Sequence, residues 1–272
     1  MAFRRLNSLS AATYRHVLPR RGVNHVPAGY GEVVLVTRFR DLQLLTPPGV
    51  FAPRSDALML IDAASGRLHG DVLDVCAGSG VLGLSAAPAA RSVTAVDVSR
   101  LAVWTVRANA RLNRRRVETR RGDLFAPVAG RRFDIILSNP PYLPTPARQR
   151  PRLAAWAWEG GPDGRALIDR ICRGAREHLR PGGDVFLVHS SVCGIEPSLD
   201  LLERSGLEAE IVSAHQGPLG PLARARITHL RQLDVLDEND TERIVVVRGR
   251  NPNRGRRAPG FDAHTAFSSP AQ

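Results

Sequence analysis

Between residues 31 and 250, short apolar runs alternate with amphipathic stretches, and that alternation predicts the architecture. Strands are expected at Val72–Val75, Ser92–Val96, Val117–Thr119, Phe133–Leu137, Asp184–His189, Glu208–Ser213 and Arg243–Val247. Helical periodicity falls over Val81–Ala87, Ser99–Leu112, Gly164–Leu179, Ile195–Ser205 and Leu219–Leu230. A compact helix over Asp56–Ala64, ended by Ser65-Gly66, precedes the first of these strands. Upstream, Val33–Thr37 and Leu42–Leu45 flank a polar link and predict a short hairpin. Runs such as Ile135-Ile136-Leu137 and Val185-Phe186-Leu187-Val188 need cover on both faces. The expected fold class is therefore α/β: a doubly wound, mostly parallel seven-stranded sheet with a short N-terminal β-hairpin.

The ends lack this pattern. Residues 1–30 read as a basic tail, 31–250 as the domain, and 251–272, rich in Arg, Pro, Gly and Ser, as a disordered basic tail. No apolar run is long enough to cross a bilayer, so no membrane association is expected. The start lacks the apolar core of a secretory signal, which leaves the cytoplasm as the expected setting. The three cysteines are far apart and the eight histidines scattered, so no disulfide framework and no metal site are expected. The net charge is +12, and all 38 basic residues are arginine. Such an excess favours acidic partners, nucleic acid or an acidic protein surface, although runs such as Arg114-Arg115-Arg116 are more often solvated surface than specific sites.

Chemistry-bearing residues cluster where strands end. Leu73-Asp74-Val75-Cys76-Ala77-Gly78-Ser79-Gly80 lies where the first parallel strand meets its helix. Gly78 and Gly80 permit a tight turn and close approach of a ligand. Asp97 ends the next strand, where a carboxylate can accept both hydroxyls of a ribose. Gly122-Asp123-Leu124 follows the third strand and offers a polar and an apolar side chain to an adenine. Gly83 completes a GxGxxG spacing, which brings a dinucleotide-dependent dehydrogenase into consideration. Three carboxylates at successive strand ends, Asp74, Asp97 and Asp123, fit a zwitterionic adenosyl amino acid better than a pyrophosphate they would repel.

The fourth strand runs into Asn139-Pro140-Pro141-Tyr142. Both prolines restrict the backbone before them, so the Asn139 side-chain carbonyl and the Pro140 backbone carbonyl are held in place as a pair of acceptors. Two acceptors aimed at the two N–H bonds of a planar NH₂ group would draw its nitrogen towards tetrahedral geometry and free the lone pair. Tyr142 can close one face of a flat amide or base.

In this order the motifs resemble the class I S-adenosylmethionine-dependent methyltransferases. Further stretches resemble the HemK/PrmC-like N5-glutamine methyltransferases: Val50-Phe51-Ala52-Pro53-Arg54-Ser55-Asp56, Trp156-Ala157-Trp158-Glu159-Gly160-Gly161-Pro162-Asp163-Gly164, and Gln216-Gly217-Pro218-Leu219-Gly220-Pro221-Leu222. In the second of these, Asp163 is expected to cap the next helix. The last stretch resembles the short branch of the family, and thirty residues before the domain cannot hold the N-terminal helical domain of longer members. The resemblance implies S-adenosyl-L-methionine as cofactor, held by Asp56, Asp74, Cys76, Ala77, Gly78, Gly80, Asp97, Val98, Asp123, Leu124 and Asn139. Catalysis would rest on Asn139, Pro140 and Tyr142, and substrate binding on Asn139, Pro140, Pro141 and Tyr142. The implied substrate is the Gly-Gly-Gln glutamine of a peptide chain release factor, a protein partner. The alternatives are adenine N6 of nucleic acid, met through the arginine-rich surface, or a binding module without turnover. Dependence on an activating partner subunit is a further expectation. Two departures stand out: Cys76 occupies a position where relatives often carry glycine, and Ala57 one where many carry threonine.

Overall fold

A computed structural model of the chain describes residues 35–146 and 160–253. The expected N-terminal tail, nearly all of the C-terminal tail and Trp156 to Glu159 lie outside the described residues. The hairpin is β1 (Leu35–Phe39) and β2 (Leu42–Thr46), an antiparallel pair. The main strands are β3 (Asp71–Val75), β4 (Ser92–Asp97), β5 (Glu118–Arg121), β6 (Phe133–Ser138), β7 (Leu179–Ser190), β8 (Glu208–Pro218) and β9 (Thr241–Arg250). The helices are α1 (Ser55–Ala64), α2 (Val81–Ala86), α3 (Arg100–Leu112), α4 (Ile168–Ala175), α5 (Glu196–Arg204), α6 (Pro221–Arg224) and α7 (Ile227–Gln232).

The seven strands follow the order β5-β4-β3-β6-β7-β9-β8. β3 to β7 are parallel, while β9 runs antiparallel between β7 and β8. This is the expected α/β sheet, mostly parallel, with the separate hairpin. Alternation along the strands feeds two cores. Val72, Ile135, Leu137, Phe186 and Val188 join Leu60 and Leu84 on one face. Leu73, Val75, Ile136, Val185 and Leu187 join Ile168 and Ile171 on the other. Strand order reverses between β3 and β6, so a crevice opens at their carboxyl ends, where open α/β sheets bind ligands. Ser138 fastens that point: its Oγ donates to the Val75 carbonyl at 2.8 Å, and both residues are buried.

Several boundaries differ from expectation. The helix expected over Gly164–Leu179 is shorter, α4 plus a 3₁₀ turn at Arg176–His178. Asp163 does not cap it; its Oδ1 accepts the Arg165 N–H at 2.9 Å in the preceding turn. The helix expected over Leu219–Leu230 splits into α6 and α7 at Ala225-Arg226, where Arg226 leaves helical geometry (φ −116°). β8 runs to Pro218, five residues past Ser213. It is an edge strand whose exposed His215 and Gln216 carry no apolar alternation to mark it.

The hairpin docks on α3 through two asparagines one turn apart. Asn109 Oδ1 accepts the Leu45 N–H at 2.7 Å, and its Nδ2 donates to the carbonyls of Leu45 (3.1 Å) and Ser79 (2.9 Å). Asn113 Oδ1 and Nδ2 bond the Gln43 N–H (2.8 Å) and carbonyl (2.7 Å). Two amides thus stand in for a neighbouring strand along β2, and Asn109 ties the hairpin to the Gly78–Gly80 turn.

Candidate active site

Three residues of the turn after β3 adopt left-handed backbone: Cys76 (φ 61°), Gly78 (φ 53°) and Gly80 (φ 82°). At Gly80 a Cβ would also stand 2.9 Å from the Val106 side chain, so the turn sits hard against α3. At Gly78 a Cβ would meet nothing within 4 Å, which leaves the backbone open to a ligand. The φ of Cys76 explains why glycine suits its position, since an L-residue there costs roughly 1–2 kcal/mol. Burial, then the charges of Asp97, Asp74 and Asp123, hold its thiol well above the ordinary thiol value. Ala77 is buried, and its N–H bonds the Val96 carbonyl at 3.1 Å.

Asp97 closes the other side of the turn. Its Oδ2 accepts the Gly78 N–H (2.9 Å) and its Oδ1 the Ser99 N–H (2.8 Å), each with lone-pair capacity left for a ligand. Burial raises its carboxyl, and the surrounding N–H groups oppose that rise. Beside it Val98 is 59% exposed, an apolar side chain presented at the strand end. Asp123 is exposed and bonded to Arg170 at 2.6 Å, and Leu124 (φ 46°) is mostly buried in the second core. Asp74 is sealed under α2. Its Oδ2 accepts the Gly83 N–H at 2.8 Å, while Oδ1 is buried with no partner. Burial pushes its carboxyl up to about 7, with the Gly83 N–H opposing and the Asp97 charge adding.

Asn139 follows β6 directly, across the switch point from this turn, and its half-buried carboxamide makes no hydrogen bond to the described residues. Pro140 is buried behind it. Tyr142 donates to Asp56 Oδ2 at 3.3 Å, and Asp56 Oδ1 accepts the Ala57 N–H at 2.7 Å, so the start of α1 fixes the phenol. Burial, then the Asp56 charge, holds the Tyr142 hydroxyl well above its ordinary value, and it stays neutral. Asp56, Asn139, Pro140, Pro141 and Tyr142 line one narrow cleft together with Phe51 and Leu222.

Phe51 and Leu222 lie in the stretches that carry the family resemblance, but cleft-lining roles for them were not legible there. Leu222 is held in place through Glu242, buried in β9, whose Oε1 accepts the Gly220 N–H and Oε2 the Ser190 hydroxyl, both at 2.7 Å. The Gly160–Gly164 segment backs the asparagine loop: the Gly160 N–H bonds the Leu143 carbonyl and the Thr145 N–H the Gly161 carbonyl, both at 2.9 Å. Gly164 (φ 79°) lies so close that a Cβ would stand 2.3 Å from the Tyr142 carbonyl oxygen.

Residues 41–154 match the family described as "Methyltransferase small domain". A Methanocaldococcus jannaschii protein, provisionally named a protein N5-glutamine methyltransferase, is 30% identical over 69% of this chain and 96% of its own length. The release factor glutamine methyltransferase of Geobacter sulfurreducens is 32% identical over 74% of this chain and 73% of its own. This chain belongs to the HemK/PrmC-type glutamine methyltransferase family of class I S-adenosylmethionine-dependent methyltransferases. The ribosomal protein uL3 glutamine methyltransferase of Bradyrhizobium diazoefficiens is also similar, at 34% identity, and the chain spans 64% of its length. Among solved structures, the E. cuniculi Mtq2-Trm112 complex, which methylates the eRF1 termination factor, shares the fold (TM-score 0.53, 20% identity, covering 75% of this chain and 99% of that one). So does the T. thermophilus 16S rRNA N2 G1207 methyltransferase (TM-score 0.54, 22% identity, 83% of this chain and 52% of that one).

As a member of this HemK/PrmC-type family the chain is an enzyme and takes S-adenosyl-L-methionine as cofactor. The residues present fit it: the open face of Gly78 admits a ligand, and Asp97 beside exposed Val98 suits a ribose with its base. Among the described residues no group of three or more His, Cys, Asp or Glu is placed to hold a metal, and no helix is long and apolar enough to cross a membrane.

Proposed function

We propose that this enzyme methylates the side-chain amide nitrogen of a protein glutamine, foremost that of the Gly-Gly-Gln loop of a peptide chain release factor in the cytoplasm. The observation that carries this reading is Asn139: a carboxamide with no hydrogen bond to the described residues, at the switch point and followed by two prolines. The cofactor supplies an electrophilic methyl on a sulfonium. Asp97, Gly78 and Gly80 hold its nucleoside end, with Val98, Asp123 and Leu124 around the base; Asp56, Asp74, Cys76 and Ala77 bound its amino-acid end.

An amide nitrogen is a poor nucleophile because its lone pair is delocalised into the carbonyl. Asn139 Oδ1 and the Pro140 carbonyl accept its two N–H bonds, which localises the lone pair and orients it. Both acceptors are set before the substrate arrives, and this preorganisation supplies the rate. Tyr142, neutral and tied to Asp56, packs against the flat amide. Pro141, Phe51 and Leu222 keep the cleft apolar and narrow. An extended peptide with small flanking residues enters such a cleft directly, whereas adenine in a duplex must first be flipped out at a cost of a few kcal/mol.

The test incubates the purified protein with radiolabelled S-adenosylmethionine and a mixture of release factor, ribosomal protein uL3, RNA and DNA. Label is expected on a glutamine of the release factor. Label on RNA or DNA adenine, with none on protein, would sink this reading and establish the adenine alternative.

A further inference from the structure

Eight arginines fall between Arg100 and Arg121, against a single acid, Glu118. Six arginines, Arg91, Arg107, Arg111, Arg114, Arg115 and Arg116, line a groove of about 830 Å³ between the C-terminal half of α3 and the start of β5. The groove reaches Ser92 and Glu118, the first residues of β4 and β5, so it lies at the end of the sheet away from the cofactor turn.

Some of these charges are neutralised. Arg91 is paired with Asp71, and Arg115 with Asp41. Glu118 is itself taken by Arg120 and Arg131. That leaves Arg107, Arg111, Arg114 and Arg116 exposed and, among the described residues, without a carboxylate partner. Arg107 is oriented by Thr119, whose Oγ1 accepts its Nε–H at 2.6 Å. Four like charges in one concavity repel each other and focus a positive field, an arrangement suited to a polyanion. On the same stripe of α3, one turn before Arg107, Trp104 is 57% exposed. A nucleic-acid base stacks on an exposed indole, and guanidinium groups pair with phosphates in bidentate fashion, so Trp104 beside these arginines favours a nucleic acid over an acidic peptide.

We propose that this groove is a docking site for single-stranded RNA, with Arg107, Arg111, Arg114 and Arg116 on successive phosphates and Trp104 stacked on a base. The RNA is a docking partner and not the methyl acceptor. The choice of RNA over DNA rests on the proposed glutamine substrates, since release factors and ribosomal proteins work in contact with RNA.

The experiment is fluorescence anisotropy with a labelled, unstructured single-stranded RNA between 50 and 200 mM salt. Four phosphate contacts predict a slope of log affinity against log salt of about −3, or about 50-fold weaker binding across that range. The triple variant Arg111→Glu, Arg114→Glu, Arg116→Glu should bind at least about tenfold more weakly at the low-salt end, with the slope reduced by about 2. The corresponding triple change to Gln should move both in the same direction without adding acids. Trp104→Ala should weaken binding and leave the slope unchanged. Cofactor affinity and methyl transfer to isolated release factor should persist in all of these variants, which separates this proposal from the substrate assignment. The proposal is overturned if the wild-type slope is near zero, if either triple variant binds RNA like wild type, or if single-stranded DNA binds more tightly than RNA. Polyglutamate binding as tightly as RNA, with Trp104→Ala without effect, would assign the groove to an acidic protein and overturn it as well.

Discussion

Replacing Asp74 by asparagine puts an amide of nearly the same shape where a buried carboxyl sits against the Gly83 N–H. Burial pushes that carboxyl from its ordinary 3.8 up to about 7. The unfolded chain therefore loses the proton near pH 3.8, while the folded chain keeps it to about 7. The contribution of Asp74 to stability is complete below pH 3.8 and drains away as pH rises through about 7. At about 1.4 kcal/mol per pH unit across that window, the total is about 4 kcal/mol. His189 works in the opposite sense, because burial lowers its ring from the ordinary 6.5 to about 4. Its contribution is complete above pH 6.5 and is lost as pH falls through about 4, about 3 kcal/mol in all. Between these limits the two slopes oppose each other, and Asp97, whose carboxyl burial also raises, adds to the fall with rising pH, so wild type alone does not isolate Asp74. Urea unfolding of wild type and Asp74→Asn in parallel, from pH 4 to pH 8, isolates the first term. The wild-type stability minus that of the variant should fall by about 4 kcal/mol across the range. A difference that stays flat with pH would refute the claim that folding protonates Asp74.

Asn139→Ala should lower kcat by at least about 100-fold in a methyl-transfer assay while S-adenosylmethionine still binds by calorimetry. Gly164→Ala should cost about 1–3 kcal/mol in thermal unfolding and also lower kcat, because its Cβ would displace the Tyr142 carbonyl of the asparagine loop. Asn109→Ala removes three hydrogen bonds between the hairpin, α3 and the glycine turn, and should cost about 3 kcal/mol by denaturant titration. Cys76→Gly relieves a left-handed L-residue but adds backbone entropy to the unfolded chain, so its stability should stay within about 1 kcal/mol of wild type by the same titration.

Where apolar alternation is strong, the sequence locates the elements closely. β3, β4 and β6 carry Val, Ile and Leu on both faces, and their expected spans fall within one residue of those observed. Legibility fails where burial is one-sided or ends are polar. Edge strand β8 keeps pairing with β9 through Ser213, Ala214, His215 and Gln216, none of which belongs to a hydrophobic face. The helix expected from Gly164 starts late because Gly164 and Asp163 belong to a turn that packs under the asparagine loop. Helical periodicity after that turn continues unbroken in the sequence, so nothing in the pattern separates turn from helix.

At the candidate site, legible residues and supporting ones divide by mechanism. Asn139 is flagged by its two prolines, Gly78 and Gly80 by their spacing after a strand, and Asp97 by its place at a strand end. Each of these signals is local in sequence. Asn109, Ser138 and Glu242 are not legible, because each acts on a segment between 22 and 64 residues away. Asn109 bonds the free edge of β2 and the glycine turn, Glu242 bonds the loop that holds Leu222, and Ser138 bonds a carbonyl at the end of a neighbouring strand. A buried asparagine or glutamate reads in a sequence only as an interruption of an apolar pattern. Its worth depends on which unpaired N–H or carbonyl the fold carries to it. In this fold the groups carried to them are those of the β2 edge, the Gly78–Gly80 turn, the end of β3 and the loop holding Leu222, all next to the switch point. The side chains that tie these segments together are therefore the ones a single sequence conceals, and substitutions at Asn109, Ser138 and Glu242 should loosen the cleft without touching a reacting atom.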